Sequence, residues 1–265
     1  MTVVINLVLV VAGIGLAYLN RTDEFVVAVT VGVATLSATI LATKLSILEK
    51  GFIGPTLLSG TLYRRAPIRV SIAYLIAIPV DGVHLLVRGQ RITTQFQPVG
   101  GVFKSYLSEP EMLRRFRALP DTRFAVDQRS KNDLRLQLPG RNLYKLLRWF
   151  KSRQDRELFP FREFYEELVR PGILDQDTFG VFDCKYHGLR HLPLRFNSYS
   201  QCQQLIVAEV YELRPTEAQL AALRTLRDSG STEVFFANAD EIVRGGVVSA
   251  PATFDLAPTT RWLID

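Results

Sequence analysis

The seven residues Arg162-Glu163-Phe164-Tyr165-Glu166-Glu167-Leu168 hold the densest chemistry in this 265-residue chain. Their pattern predicts a helix over Phe161–Val169. On it Glu163, Glu166 and Glu167 fall at i, i+3 and i+4 and share one face, while Phe164 and Leu168 share another. Carboxylates this close repel one another, so a surface helix gains nothing from them. A bound divalent cation removes that cost, and Mg²⁺ takes carboxylate and phosphate oxygens together. Arg162 precedes Glu166 by one turn and can pair with it. The plain alternative is a solvated acidic face with an apolar back, and helix spacing alone favours it. Cys184, His187, His191 and Cys202 form a second set of donors. Gly188 and Pro193 argue against a helix presenting the histidine pair, the spacing fits no common zinc finger, and an ordinary loop is expected. With two cysteines in the whole chain, no structural disulfide is expected. Neither a nucleophile elbow, a P-loop nor a dinucleotide fingerprint occurs.

The elements that must position these residues are legible on both sides of them. Val70–Val80 is short, apolar and bounded by Pro79 and Asp81, which suits a buried strand. Asp81-Gly82 is a hairpin turn, Val83–Arg88 the returning strand, and Gln95–Val102 ends in a glycine pair that permits a tight bend. Glu109–Leu119 and Leu143–Phe150 read as amphipathic helices. Gln204–Leu213 reads as a strand, and Thr216-x-x-Gln219 opens a helix with a capping box. Val234–Ala237 is a short strand, Asn238 caps Ala239–Val243, and the tail after Val248 is expected to be irregular.

These pieces, in this order, resemble the Nudix family. Its signature is Gly, five residues, Glu, seven residues, then Arg-Glu-apolar-x-Glu-Glu-x-Gly-apolar. Arg162, Glu163, Phe164, Glu166 and Glu167 match the second half, and Gln97-Pro98-Val99-Gly100-Gly101 is similar to the Pro-Gly-Gly turn that leads into the Nudix loop. The opening hairpin and the closing strand-and-turn pattern extend the resemblance over roughly residues 67–250. The departures are specific. The first glutamate should fall at Leu107 counting on from Gly101, or at Gln154 counting back from Arg162. A long insertion therefore splits the box, with Glu157 and Glu109 as possible substitutes, and Val169-Arg170 replace the closing Gly-apolar pair. The resemblance implies an α/β/α sandwich, Mg²⁺ held by Glu163, Glu166 and Glu167, and for Glu163 a catalytic role. The missing first glutamate bears on hydrolysis more than on phosphate binding.

The first fifty residues are different material. Their charges are Arg21, Asp23, Glu24, Lys44, Glu49 and Lys50, which cancel, so the net charge of +6 (32 basic against 26 acidic) belongs to the remainder. Val3–Asn20 and Phe25–Thr43 carry no charge, and each has about the ~20 residues of a membrane-crossing helix. The expectation is a transmembrane hairpin over 1–50, a linker over 51–66 and a Nudix-like domain with an insertion over 67–265, an α+β chain overall. The basic residues Lys44, Lys50, Arg64 and Arg65 place both termini in the cytoplasm of a bacterial inner membrane. Gly13, Gly15, Gly32, Ala34, Ser37 and Ala38 allow close helix approach, either in a homo-oligomer or simply between the two spans. The mean hydropathy of +0.11 then averages two unlike parts.

A two-span hairpin joined to a Nudix-like domain resembles the membrane-anchored Nudix effectors of bacterial cyclic-oligonucleotide antiphage systems (CBASS). That resemblance implies sensing of a cyclic oligonucleotide, contact with membrane lipids, membrane damage and death of the infected cell, with no role for a nucleic acid duplex. The alternative is a membrane-tethered, Mg²⁺-dependent hydrolase of a nucleoside-diphosphate-linked substrate. Arg114, Arg115, Arg117, Arg123, Arg129, Lys131, Arg141, Lys145, Arg148 and Lys151 crowd the insertion, where a phosphate-rich ligand, anionic lipid or plain solvent can face them. Phe124, Tyr144, Trp149 and Phe150 lie among them at spacing that favours core packing.

Overall fold

The computed structural model describes residues 24–46, 50–90, 92–121, 130–249 and 252–264. Its strands are β1 (Pro67–Ala77), β2 (Pro79–Val80), β3 (Val83–Arg88), β4 (Gln95–Val102), β5 (Leu119–Pro120), β6 (Arg135–Pro139), β7 (Asp183–His191), β8 (Arg195–Asn197), β9 (Cys202–Arg214), β10 (Val234–Ala237), β11 (Gly246–Ser249) and β12 (Ala252–Leu256). Two compact units share them. The first draws on the chain up to Ser71, on Lys104–Glu157 and on His191–Ile206; the second is Ile72–Phe103, Leu158–Arg190 and Val207–Asp265.

In the first unit the opening residues of β1 pair antiparallel with β6, Ile68 opposite Leu138 and Val70 opposite Leu136, and β6 pairs with β5. The helix Leu143–Lys151 buries Leu143, Leu146, Leu147, Trp149 and Phe150, so Trp149 and Phe150 are core residues. The helix Glu109–Phe116 stops at Arg117, which takes a left-handed φ of 51°. Arg114 and Arg115 point to solvent, the latter beside Asp155 at 3.3 Å. Arg123, Phe124 and Arg129 lie outside the described residues.

The expected membrane hairpin is not upheld. Its first half lies outside the described residues. Its second half forms the helix Glu24–Ser46, yet among the described residues no helix is long and apolar enough to cross a membrane. The expected fold class with its membrane hairpin, and the placement across an inner membrane, are therefore corrected. The inference took two uncharged runs of about membrane length as a pair, and of these only the second is described. Thr30, Gly32, Thr35, Ser37 and Thr39 interrupt the valines and leucines, and the Thr30, Thr35 and Thr39 hydroxyls donate back to carbonyls one turn earlier.

The second unit carries the order β10-β3-β4-β1. Its pairs are antiparallel, with Phe235 opposite Leu86, Leu86 opposite Pro98 and Tyr74 opposite Gly101. Asp81 and Gly82 turn the first hairpin at φ 49° and 87°, the geometry their types favour. The core gathers Ile76, Ile78, Leu85, Val87 and Val99 from the strands with Phe164, Leu168 and Phe179 from the following segments. The helix Glu217–Asp228 begins as its capping box predicts: the Gln219 N–H donates to Thr216 Oγ1 and the Thr216 N–H to Gln219 Oε1.

Two expectations fail here. Asp183–His191 is strand β7, paired with β9, rather than a loop. The tail is regular as well: β11 pairs antiparallel with β12, and β12 joins β4 in parallel. Both segments carry weak alternation and polar residues, so neither announces a strand.

Candidate functional site

The helix Phe161–Phe164 runs without a break into a π-helical turn over Tyr165–Val169, where the Arg170 N–H donates to the Tyr165 carbonyl at 2.7 Å. Such widened turns occur mostly as single turns inside helices, frequently at functional sites. Phe164 and Leu168 are fully buried, contributing about 1.5–3 kcal/mol each. They fix the opposite face, which carries Glu163, Glu166 and Glu167. The two faces deduced from the spacing are thus the two faces of the fold.

The acidic face meets the end of β4. The Gly100 N–H donates to Glu167 Oε2 at 3.0 Å. A Cβ on Gly101 would overlap the Glu163 carboxylate, and a Cβ on Gly100 would overlap the Tyr74 carbonyl across the sheet. Gly100 also holds a φ of +151°, a region that L side chains rarely adopt. Both glycines are therefore required by close approach: one lets the strand pass its neighbour, the other seats a carboxylate on the backbone. Below them the Glu163 N–H donates to the buried Tyr74 hydroxyl at 3.2 Å, and the Tyr74 ring meets Phe103 edge-on at 4.8 Å. Arg162 binds the cluster to the strand. One guanidinium nitrogen pairs with Glu163 Oε1 and lies 3.9 Å from Glu166 Oε1; the other donates to the Val102 carbonyl at 3.0 Å.

Glu167 is 8% exposed, and burial pushes its carboxyl up to about 8. The nearby charges of Glu163 and Glu166 push the same way, while the Gly100 N–H and Gln97 pull it back. Near neutral pH this acid therefore keeps a proton until something positive displaces it. The donor set is chemically suited to a hard dication: three carboxylates, one of them buried and protonated. Among the described residues, however, no three His, Cys, Asp or Glu side chains form a ready-made metal cluster. Glu163 and Glu166 are turned to Arg162 and Glu167 to Gly100.

The missing first glutamate is not restored nearby in sequence. Leu107 is buried in the first unit and lines a cavity there with Met112 and Leu136. Glu157, also in the first unit, spends Oε2 on the Lys104 N–H at 3.1 Å, and Gln154 is exposed. Glu109 starts the helix Glu109–Phe116. Among the described residues Cys184, His187, His191 and Cys202 form no group that could hold a metal ion. Burial pushes the Cys184 thiol up to about 12, His187 Nε2 faces Glu212 at 3.2 Å, His191 Nδ1 lies 3.0 Å from the Leu192 carbonyl, and Cys202 Sγ lies 3.5 Å from Ser200 Oγ.

Sequence reading missed Tyr74 and Gln97. Tyr74 was read only as part of an apolar strand, although a tyrosine hydroxyl inside such a run must find a partner. Gln97 opens the segment that resembles the Nudix turn, but nothing in the sequence marks it as a partner of Glu167.

Among curated proteins none matches the chain. A family match covers the whole constellation, from the first strand through the split box to the tail. The chain belongs to the SMODS-associated NUDIX domain family, which it matches over residues 67–264.

Proposed function

We propose that this chain is the nucleotide-sensing component of a cyclic-oligonucleotide (CBASS) antiphage system. In this reading it binds the second messenger through phosphates at the Gly100–Gly101/Glu163–Glu166–Glu167 site and does not turn it over. One observation carries the reading. Arg162 gathers Glu163 and Glu166, while Glu163 and Glu167 seat on Gly101 and Gly100. The first glutamate is replaced by a buried leucine or an exposed glutamine. Glu163, Glu166 and Glu167 would hold Mg²⁺, which supplies charge neutralisation for ligand phosphates when bound. The chain's own part is to shape that face: Arg162 orients Glu163 and Glu166, the Gly100 N–H orients Glu167, and Phe164 and Leu168 anchor the turn.

The family's description, SMODS-associated NUDIX domain, supports the defence setting. Calorimetric titration of the full chain with a panel of cyclic di- and trinucleotides, with and without Mg²⁺, tests the reading. Saturable binding without loss of ligand is expected, and absence of binding across the panel refutes it. A second reading has its own support. The three carboxylates share one helix face, and a Mg²⁺-dependent hydrolase of nucleoside-diphosphate-linked substrates would use such a donor set. Product release that disappears in Glu166→Gln/Glu167→Gln would favour that reading over the first.

A further inference from the structure

The first unit holds a cavity of its own. It has about 590 Å³ of empty space, counting the part open to solvent, which falls within the roughly 300–1,000 Å³ of small-molecule sites. Leu107, Met112 and Leu136 line it, all three buried. Asp121, Asp133 and Arg135 line it too. The ladder between β5 and β6 sets two of these side by side, since the Asp121 N–H donates to the Arg135 carbonyl at 3.0 Å. Asp133 stands two residues before Arg135 in the chain.

The charges of this wall are matched. Arg69 Nε donates to Asp121 Oδ2 at 2.6 Å, and Lys104 Nζ donates to Asp133 Oδ1. Arg135 Nη1 lies 3.6 Å from Asp133 Oδ2, beyond hydrogen-bond length. With Glu109, the lining acids number three, and Arg69, Lys104 and Arg135 make three cations. An ion of either sign therefore meets as many like charges as opposite ones. A neutral ligand with a polar edge fits better. A carboxylate can only accept and a guanidinium can only donate, so that edge must carry an acceptor next to N–H donors. The body behind the edge must be apolar enough for Leu107 and Met112, and a thioether favours aromatic rings. Among the common nucleobases, guanine has this edge: O6 accepts, and the adjoining N1–H and exocyclic amine donate. Adenine offers one donor group beside its acceptor, and the pyrimidines place acceptors on both sides of a donor or two acceptors together.

We infer that this cavity is a guanine-binding site, in which Arg135 donates to O6 and Asp133 accepts from N1–H and the amine. The inference goes beyond the phosphate site of the second unit and does not depend on it. The test uses the full chain in chelator, without Mg²⁺, titrated calorimetrically with guanosine, inosine and adenosine, none of which carries a phosphate. Guanosine is expected to bind saturably. Inosine, which lacks the amine, should bind at least about tenfold more weakly, the scale of one hydrogen bond to a charged group. Adenosine should bind more weakly still. Arg135→Met should weaken guanosine by a similar factor, and Arg135→Lys, which keeps a donor, should recover part of the loss. Thermal melting confirms that each variant folds. If Arg135→Met does not, Arg135→Lys and the guanosine-to-inosine ratio of the native chain decide the matter. Guanosine 5′-monophosphate and a guanine-containing cyclic dinucleotide, titrated alongside, tell the source: equal affinity to guanosine supports a free guanine nucleoside, and tighter binding of the cyclic dinucleotide supports a messenger. Absence of guanosine binding overturns the inference. So does inosine or adenosine binding as tightly as guanosine, or a guanosine affinity that folded Arg135→Met leaves unchanged.

Discussion

Two turns of the second unit each combine glycine with a carboxylate, and they treat it in opposite ways. At the hairpin tip, Asp81 precedes Gly82 and is held by two arginines: Arg224 Nη2 lies 2.7 Å and Arg227 Nη1 2.8 Å from its oxygens. Hydrogen bonds from Arg224 and then Arg227 drive its carboxyl far below the ordinary range. At the end of β4, Glu167 meets a backbone N–H rather than a cation, is buried, and rises to about 8. The first arrangement is complete in itself, with every charge answered. The second is left short of positive charge in a place where ionisation is costly. A site that awaits a cationic or cation-bridged ligand has this character, whereas a fastener has the other.

The glycines should break the comparison most sharply. Gly100→Ala adds a Cβ into the Tyr74 carbonyl at a φ of +151°, and strain and overlap together should cost about 4 kcal/mol in urea unfolding. Gly82→Ala adds one into open space at φ +87° and should cost only about 1 kcal/mol. Equal losses at the two positions would mean that the close approach at Gly100 is not what selects glycine there.

The fate of the sequence expectations follows from the range over which each acts. The carboxylate face, the Asp81-Gly82 turn and the Thr216–Gln219 cap are local, set by residues within one helical turn or one hairpin, and their spacing alone reveals them. What spacing could not reveal is what Glu167 would meet. Its burial, and so its raised pKa, depends on β4 arriving from 67 residues earlier in the chain. The π turn was also hidden, since one extra residue in a turn leaves the apolar and acidic positions in the same order. The membrane hairpin failed for a different reason: it needed two spanning helices, and among the described residues none is long and apolar enough to cross a membrane.

Glu167 gives the second prediction. Unfolded, its carboxyl ionises near the ordinary 4.5; folded, near 8. Between those values the native state keeps a proton that the unfolded state has lost, so stability falls as pH rises through that window. The penalty is absent below about 4.5 and complete above about 8. Glu167→Gln removes it while keeping an oxygen for the Gly100 N–H. The variant should therefore gain stability over the native protein by on the order of 2 kcal/mol at high pH and by much less in acid. Mg²⁺ should reverse the native trend, since a cation at Glu167 must displace the proton. Its affinity should rise with pH up to about 8, with proton release visible as a buffer-dependent heat. A pH-independent difference between Glu167→Gln and the native protein would show that this acid is not held protonated.

Asp81→Asn should have the smallest effect of these. The ion pairs are solvent-exposed, and exposed pairs contribute little and are screened by salt. Asp81 has its folded pKa lowered, so any stabilisation it gives is present above the unfolded value of 3.8 and fades as pH falls below it. The melting difference between Asp81→Asn and the native protein should therefore be small at neutral pH, flat up to pH 9, and shrink further in high salt. Glu167→Gln measured beside it should show a difference that grows as pH rises toward about 8. If Asp81→Asn instead abolished nucleotide binding, the hairpin tip would belong to the site, and the division between a self-sufficient turn and a waiting one would be wrong.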